Sequence, residues 1–226
     1  MRCTARYFIE SGQATSIGRS SHVAHASAER RQELVLDARR SETGLPASSS
    51  RRRAHHRRTP ATSRRPGKGF RRPDAEATFG DLHHAIQDAC GWDDDHLFVF
   101  RTPAGGVIGG SPFEDPFGDP CPDADEVGLA GYFAQHERCQ YEYDFGDSWL
   151  HDISVGRRVD EPVAYRRQLL DGARAFPPED CGGLPGYQEC VEVATGQGDH
   201  EGRREWLGDW DPEHFDLAQL KRRFDR

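Results

Sequence analysis

Apolar residues recur at helical spacing at Phe79, Leu82, Ile86 and Ala89, which predicts an amphipathic helix. Thr78-Phe-Gly-Asp81 offers a capping box in its looser form at one end, and Gly91 offers a stop at the other. His83 stands at the edge of the apolar face and His84 points away from it. Aromatic and β-branched residues from His96 to Arg101 then predict a strand. From 141 the period becomes two. Tyr141, Tyr143, Phe145, Trp149, His151, Ile153 and Val155 are all odd-numbered, so one strand face carries them. Gly146 and Asp147 are turn formers, which predicts a hairpin. A two-residue loop would flip the parity and expose Ile153. A three-residue loop of Gly146, Asp147 and Ser148 keeps the apolar face intact. It sets Phe145 opposite Trp149 and Tyr143 opposite His151.

The rest of the chain is less regular. Residues 103–125 are rich in Pro, Gly and Asp and read as a long acidic loop. Val127 to Phe133 reads as a short helical turn, and Ala164 to Ala173 has helical composition. Phe176 to Tyr187, with Pro177, Pro178, Gly182 and Gly183, reads as a rigid, irregular loop. Gln188 to Ala194 reads as a helix. A last helix follows, capped by Asp211 or Asp216, with Leu217, Leu220 and Phe224 as its buried stripe. Lys221, Arg222 and Arg223 suit its negative end. Before all this, Ala28 to Arg40 holds one short helix, built on Leu34, Val35 and Ala38.

Charge divides the chain of 226 residues sharply. Residues 1–72 carry 17 Arg and Lys against 5 Asp and Glu, a net of +12, whereas the whole chain is at −8. Residues 73–226 are therefore an acidic body of net −20, ill suited to a phosphate backbone. The segment 1–74, with its run Arg51 to Arg58, reads as a disordered, Arg-rich arm. It is either a solvated tail, or sequence upstream of the true start, or a basic arm that folds on a partner. The apolar runs are too short for a transmembrane helix, and the N-terminus has no signal-peptide core. Six cysteines, none in a Cys-x-x-Cys pair, argue against a zinc ribbon. They point to free thiols in a reducing, cytoplasmic setting.

Several segments, in order, carry a family likeness. They are Leu82-His83 with Ile86, then Trp92 with His96-Leu97 and Phe100, then Tyr143-Asp-Phe-Gly-Asp-Ser-Trp149 with His151. Pro177-Pro-Glu-Asp-Cys-Gly-Gly183 with Gly186-Tyr187 follows, and Asp211-Pro-Glu-His-Phe-Asp-Leu217 completes the set. Over residues 75–226 the chain resembles the plasmid pRiA4b ORF-3-like family, also called insertion-element passenger TnpR-like proteins. The resemblance implies a mixed α+β domain and a mobile-element setting, and no assigned reaction. Phe176 stands where the family usually has Cys, which weakens a two-cysteine site in that loop. The family's opening strand has only Gly69 to Arg72 as a counterpart here, implying a lost or degenerate first strand.

The expected fold is therefore one α+β domain over 75–226, an antiparallel sheet with packed helices, preceded by the disordered basic arm. Asp144, Asp147 and His151 are the sharpest chemical candidates, because carboxylate and imidazole together ligate divalent transition metals. His83 or His96 would complete such a site. The plainer reading has Asp147 bonding within its own turn and His151 as a core-edge imidazole on a backbone carbonyl. Asp144-Phe-Gly146 also spells the kinase magnesium motif, but its partner motifs and a Walker loop are missing. Glu179 and Asp180 flank Cys181 and would raise its pKa, against a nucleophilic role. Trp92, Tyr143, Trp149 and Tyr187, with Glu179, Asp180 and Cys181, form a candidate binding surface or simply a core with satisfied polar tips. The leading reading is a non-enzymatic interaction module that binds a protein or peptide. The alternatives are a metal-dependent hydrolase using the hairpin, and a nucleic-acid-associated protein that makes contact only through residues 1–72. No membrane role is expected.

Overall fold

The computed structural model describes residues 4–13, 29–38, 76–110, 121–160, 167–198 and 202–225. Seven strands form one antiparallel sheet: β1 (Thr4–Gln13), β2 (Glu29–Ala38), β3 (Phe98–Arg101), β4 (Val107–Gly109), β5 (Arg138–Tyr143), β6 (Trp149–Asp160) and β7 (Arg167–Ala173). Their order across the sheet is β4-β3-β5-β6-β2-β1-β7. The helices are α1 (Phe79–Cys90), α2 (Leu129–Phe133), α3 (Gly183–Ala194), α4 (Arg203–Leu207) and α5 (Leu217–Phe224). This is the α+β architecture the sequence predicts.

Helix α1 forms where its caps say it should. The Thr78 hydroxyl accepts the Asp81 amide, the Asp81 carboxylate accepts the Thr78 amide at 2.9 Å, and Gly91 ends the helix at φ +80°. The odd-numbered residues Tyr141, Tyr143, Trp149, His151 and Ile153 are all buried on the core face of β5 and β6, where His83 and Gln87 of α1 meet the Tyr141 hydroxyl. The even-numbered face carries Gln140, Glu142 and Asp152, with Arg101 paired to Glu142 and Gln140 to Asp152. At the far edge Arg167 of β7 ion-pairs with Asp88 of α1, bonds the Phe224 carbonyl at 2.8 Å and lies over the Phe224 ring. That clamp joins the sheet to α1 and α5.

Six expectations need correction. The hairpin pairs Tyr143 with Trp149 and Tyr141 with His151, so its loop is the five residues 144–148. Asp144 causes this. It takes a left-handed backbone, φ +53°, and its carboxylate accepts the Gly146 amide at 2.9 Å, so the turn closes two residues earlier. A shift of two leaves the parity intact. Phe145 lies on the exposed loop instead of opposite Trp149. Ala28 to Arg40 is no helix, because its centre is strand β2, hydrogen-bonded to β1 on one side and β6 on the other. Two stretches of the segment expected to be disordered, 4–13 and 29–38, are therefore sheet strands; Arg51 to Arg58 and Gly69 to Arg72 lie outside the described residues. Arg167–Ala173 is also a strand, since it closes the open edge of β1. Helix α3 starts at Gly183, inside the loop expected to be irregular, because Gly182 enters it at φ +95°. The acidic stretch 103–125 contains β4, which pairs with β3.

Candidate functional site

The hairpin tip, the turn after α1 and the loop before α3 meet in one place. Trp92 stacks on Tyr143 with centroids 4.9 Å apart, and its indole donates to the Pro177 carbonyl at 2.9 Å. The Tyr143 hydroxyl donates to Glu179 and accepts the His96 amide at 3.3 Å. Glu179 also accepts the Asp93 amide at 2.7 Å. His96 Nε2 lies 2.8 Å from the Asp180 carboxylate. The Asp147 carboxylate accepts the Gly182 amide at 3.0 Å, which ties the hairpin tip to the start of α3. Burial, reinforced by Glu179, holds the Tyr143 phenol well above its ordinary pKa, so it stays a donor.

These contacts send the three leading metal candidates apart. Asp144 bonds within its own turn, Asp147 bonds Gly182, and His151 is sealed into the core. The Asx-type bond foreseen at Asp147 is made by Asp144. His151 is 1% exposed, with Trp92, Tyr141 and Phe176 rings 5.6, 5.8 and 6.1 Å away. Neither ring nitrogen has a hydrogen-bond partner among the described residues. The Trp149 backbone favours its charged form slightly without bonding it in normal geometry. Burial dominates and pushes the imidazole down to about 4.

Among the described residues, two other groups bring donor atoms within 4.8 Å of one another: His83, His84 and Asp94, and His96, Asp144 and Asp180. His83 and His96, named as completing ligands, thus fall into separate clusters. His84 and Asp94 escaped the sequence reading. The available signal was a His pair on α1 followed, past the Gly91 stop, by Asp93-Asp94-Asp95, which folds back over the pair.

The candidate binding surface is mostly interior. Trp92, Tyr143, Trp149 and Tyr187 are buried, with Trp149 edge-on to Tyr187. Cys181 is buried beside Cys190, and burial first, then Cys190, pushes its thiol up to about 12. Access comes at the margin instead. A cleft of about 340 Å³ opens between the end of α1, the loop Arg174–Glu179, Trp210 and the start of α5. Trp92, Phe176, Pro178, Trp210 and Phe215 form its apolar walls, and the Trp210 indole is anchored on the Phe176 carbonyl at 3.3 Å.

A family described as plasmid pRiA4b ORF-3-like protein matches residues 72–219. The uncharacterized protein y4hQ of Sinorhizobium fredii (strain NBRC 101917 / NGR234) is 35% identical over 150 residues, 64% of this chain and 76% of that one. A crystal structure of a protein of unknown function, MM3350 from Methanosarcina mazei Go1, matches with a TM-score of 0.58 at 25% identity. That match covers 96% of this chain and 95% of the other. None of these descriptions names a reaction.

Proposed function

The chain belongs to the plasmid pRiA4b ORF-3-like family, and from that premise we propose that it is a binding module for a peptide segment taken into the cleft at the sheet margin. The cleft carries the reading. Its 340 Å³ is within the range of ligand sites, and its aromatic walls offer a low-entropy seat for one apolar side chain. Glu179 and Asp216 line it, and Arg174, also in the lining, is paired with Glu213; on a body of net −20 this favours a segment with basic residues beside its apolar anchor. The hydrolase reading loses its support because Asp144, Asp147 and His151 do not converge. The nucleic-acid reading would draw on Arg51 to Arg58, outside the described residues.

The same proposal places the protein in the cytoplasm as a mobile-element passenger. Adjacent free thiols at Cys181 and Cys190 suit a reducing compartment. No helix among the described residues is long and apolar enough to cross a membrane.

Selection of displayed peptides on the full chain, followed by tryptophan-fluorescence titration, tests the proposal. Selected peptides should pair an apolar anchor with Arg or Lys. Their affinity should fall about tenfold or more in Trp210→Ala, as for an aromatic anchor site, and should also fall in Gln219→Arg, which places a cation at the exposed mouth. Peptides that bind both variants as well as wild type would overturn it, as would a selection that yields none.

A further inference from the structure

A second cavity, about 230 Å³, lies on the other side of the turn after α1. His83, His84, Asp94, His96, Asp123 and Asp125 contribute to its lining, and none of its lining residues among those described is Lys or Arg. Among the described residues its lining thus carries three carboxylates and no Lys or Arg to offset them. His83 is its fixed point. The ring is 2% exposed and lies flat on Phe98, centroids 3.6 Å apart and planes within 8°. Its Nε2 faces the Asp94 carboxylate at 2.8 Å, and His84 Nδ1 approaches the other Asp94 oxygen at 3.7 Å. Asp94 is held there by a left-handed backbone, φ +64°.

We infer that His83, His84 and Asp94 form a site for one divalent transition-metal ion, with zinc the best match to two imidazoles, one carboxylate and an open fourth position. The buried groups behind His83 support this. Its Nδ1 lies 2.8 Å from the Tyr141 hydroxyl, which also accepts the Gln87 amide at 3.1 Å, and Gln87 Oε1 has no partner among the described residues. In this arrangement the Tyr141 proton goes to Nδ1 and the imidazole proton sits on Nε2, facing Asp94. A half-turn of the Gln87 amide presents Oε1 to the phenol instead. The phenol proton then goes to Gln87, Nδ1–H donates to the phenol oxygen, and Nε2 is left bare for a metal. The proton count is the same in both arrangements. Gln87 leaves one amide atom unpaired in each; the Nε2–H bond to Asp94 favours the first without a metal, and a metal on Nε2 takes the place of that bond in the second. A ligating imidazole oriented through its second nitrogen by a buried partner is the usual support of a metal site.

The other cluster is a weaker candidate. It has one imidazole, His96 Nδ1 is 3.8 Å from Asp144, and the same Asp144 oxygen already accepts the Gly146 amide. Asp180 is exposed.

Zinc alone, titrated calorimetrically into the full chain, should bind at one equivalent. His84→Ala removes an exposed ligand, and Asp94→Asn keeps a residue that tolerates the left-handed backbone. Both should abolish stoichiometric binding while the chain stays folded. Tyr141→Phe keeps the ring and should weaken binding by about 10–100-fold. His96→Ala should leave it unchanged. Nitrogen NMR should find the His83 proton on Nε2 without zinc and on Nδ1 with it. Sub-stoichiometric binding, binding that survives His84→Ala and Asp94→Asn, or loss only in His96→Ala would overturn the assignment.

Discussion

Acidification from pH 7 to pH 5 should destabilise the fold through His151, by an amount that its burial sets. The imidazole is 1% exposed, ringed by Trp92, Tyr141 and Phe176, with no hydrogen-bond partner on either nitrogen among the described residues. It stays neutral in the folded protein down to about pH 4, whereas in the unfolded chain it takes up a proton near its ordinary value, about 6.5. The unfolded state thus binds more protons throughout that window. The stability due to neutral His151 is complete above about pH 6.5 and is lost as pH falls toward 4. Linkage over this interval gives a loss of about 2 kcal/mol at pH 5 and about 3 kcal/mol at the acid limit. His83 is also held below its ordinary value, chiefly by burial against the opposing pull of Asp94, and acts in the same direction. Comparison with His151→Leu therefore isolates the one residue. Leucine fills a similar volume and removes two buried, unpaired nitrogens, so stability at pH 7 should hold or rise. In urea titrations at pH 7, 6 and 5, wild type should lose about 2 kcal/mol more than His151→Leu by pH 5. Parallel stability curves for the two proteins would refute the claim that His151 is buried neutral.

Other expectations are local. An ideal Cβ on Gly186 would lie 1.7 Å from the Cys181 carbonyl oxygen, so Gly186→Ala should cost at least about 1–3 kcal/mol in chemical denaturation. Leu184→Ala, at a position 41% exposed in the same turn, should cost far less. Thr78→Ala removes the α1 cap and should lower stability by about 1 kcal/mol, with Thr78→Ser near neutral. Asp147→Ala frees the Gly182 amide and should lower the melting temperature, with Asp147→Asn largely restoring it; equal melting of the two variants would show that the bond contributes nothing. Burial pushes the Cys139 and Cys181 thiols up to about 12, so mass spectrometry should find both unalkylated by iodoacetamide at neutral pH until the chain is unfolded.

What the sequence showed depended on whether the information was local. The face shared by Tyr141, Tyr143, Trp149, His151 and Ile153 was legible because burying one side of a strand imposes a period of two. The loop length was not, since a five-residue turn and a three-residue turn give the same parity, and the choice rests on the left-handed backbone of Asp144. Leu34 and Val35 fit a short helix and a strand equally well. What decides for β2 is the pair of neighbouring strands, β1 and β6, the latter supplied by residues more than a hundred positions later. Arg167–Ala173 is a strand for the same reason, because β1 needs an edge partner. The start of α3 turned on the positive φ of Gly182, which composition alone reads as a loop.

The candidate site was harder to read because residues suited to catalysis are also suited to joining loops. Tyr143, Asp147, Trp92, Glu179 and Asp180 attract a chemical reading through their density and polarity. In the fold their donors and acceptors are taken up by neighbouring side chains and backbones: the Tyr143 hydroxyl and the Asp93 amide on the Glu179 carboxylate, Asp147 on the Gly182 amide, Trp92 on the Pro177 carbonyl. Each bond crosses between segments 35 or more residues apart. The segments that carry the family likeness are therefore a junction holding the hairpin, the turn after α1 and the loop before α3 in register. A junction of this kind has a functional consequence. It fixes the wall of the 340 Å³ cleft through Trp92 and Glu179, and the mouth of the 230 Å³ cavity through Asp94 and His96. Chemistry should then be sought in the two hollows the junction shapes, rather than in Tyr143 and Asp147, whose bonding is already spent.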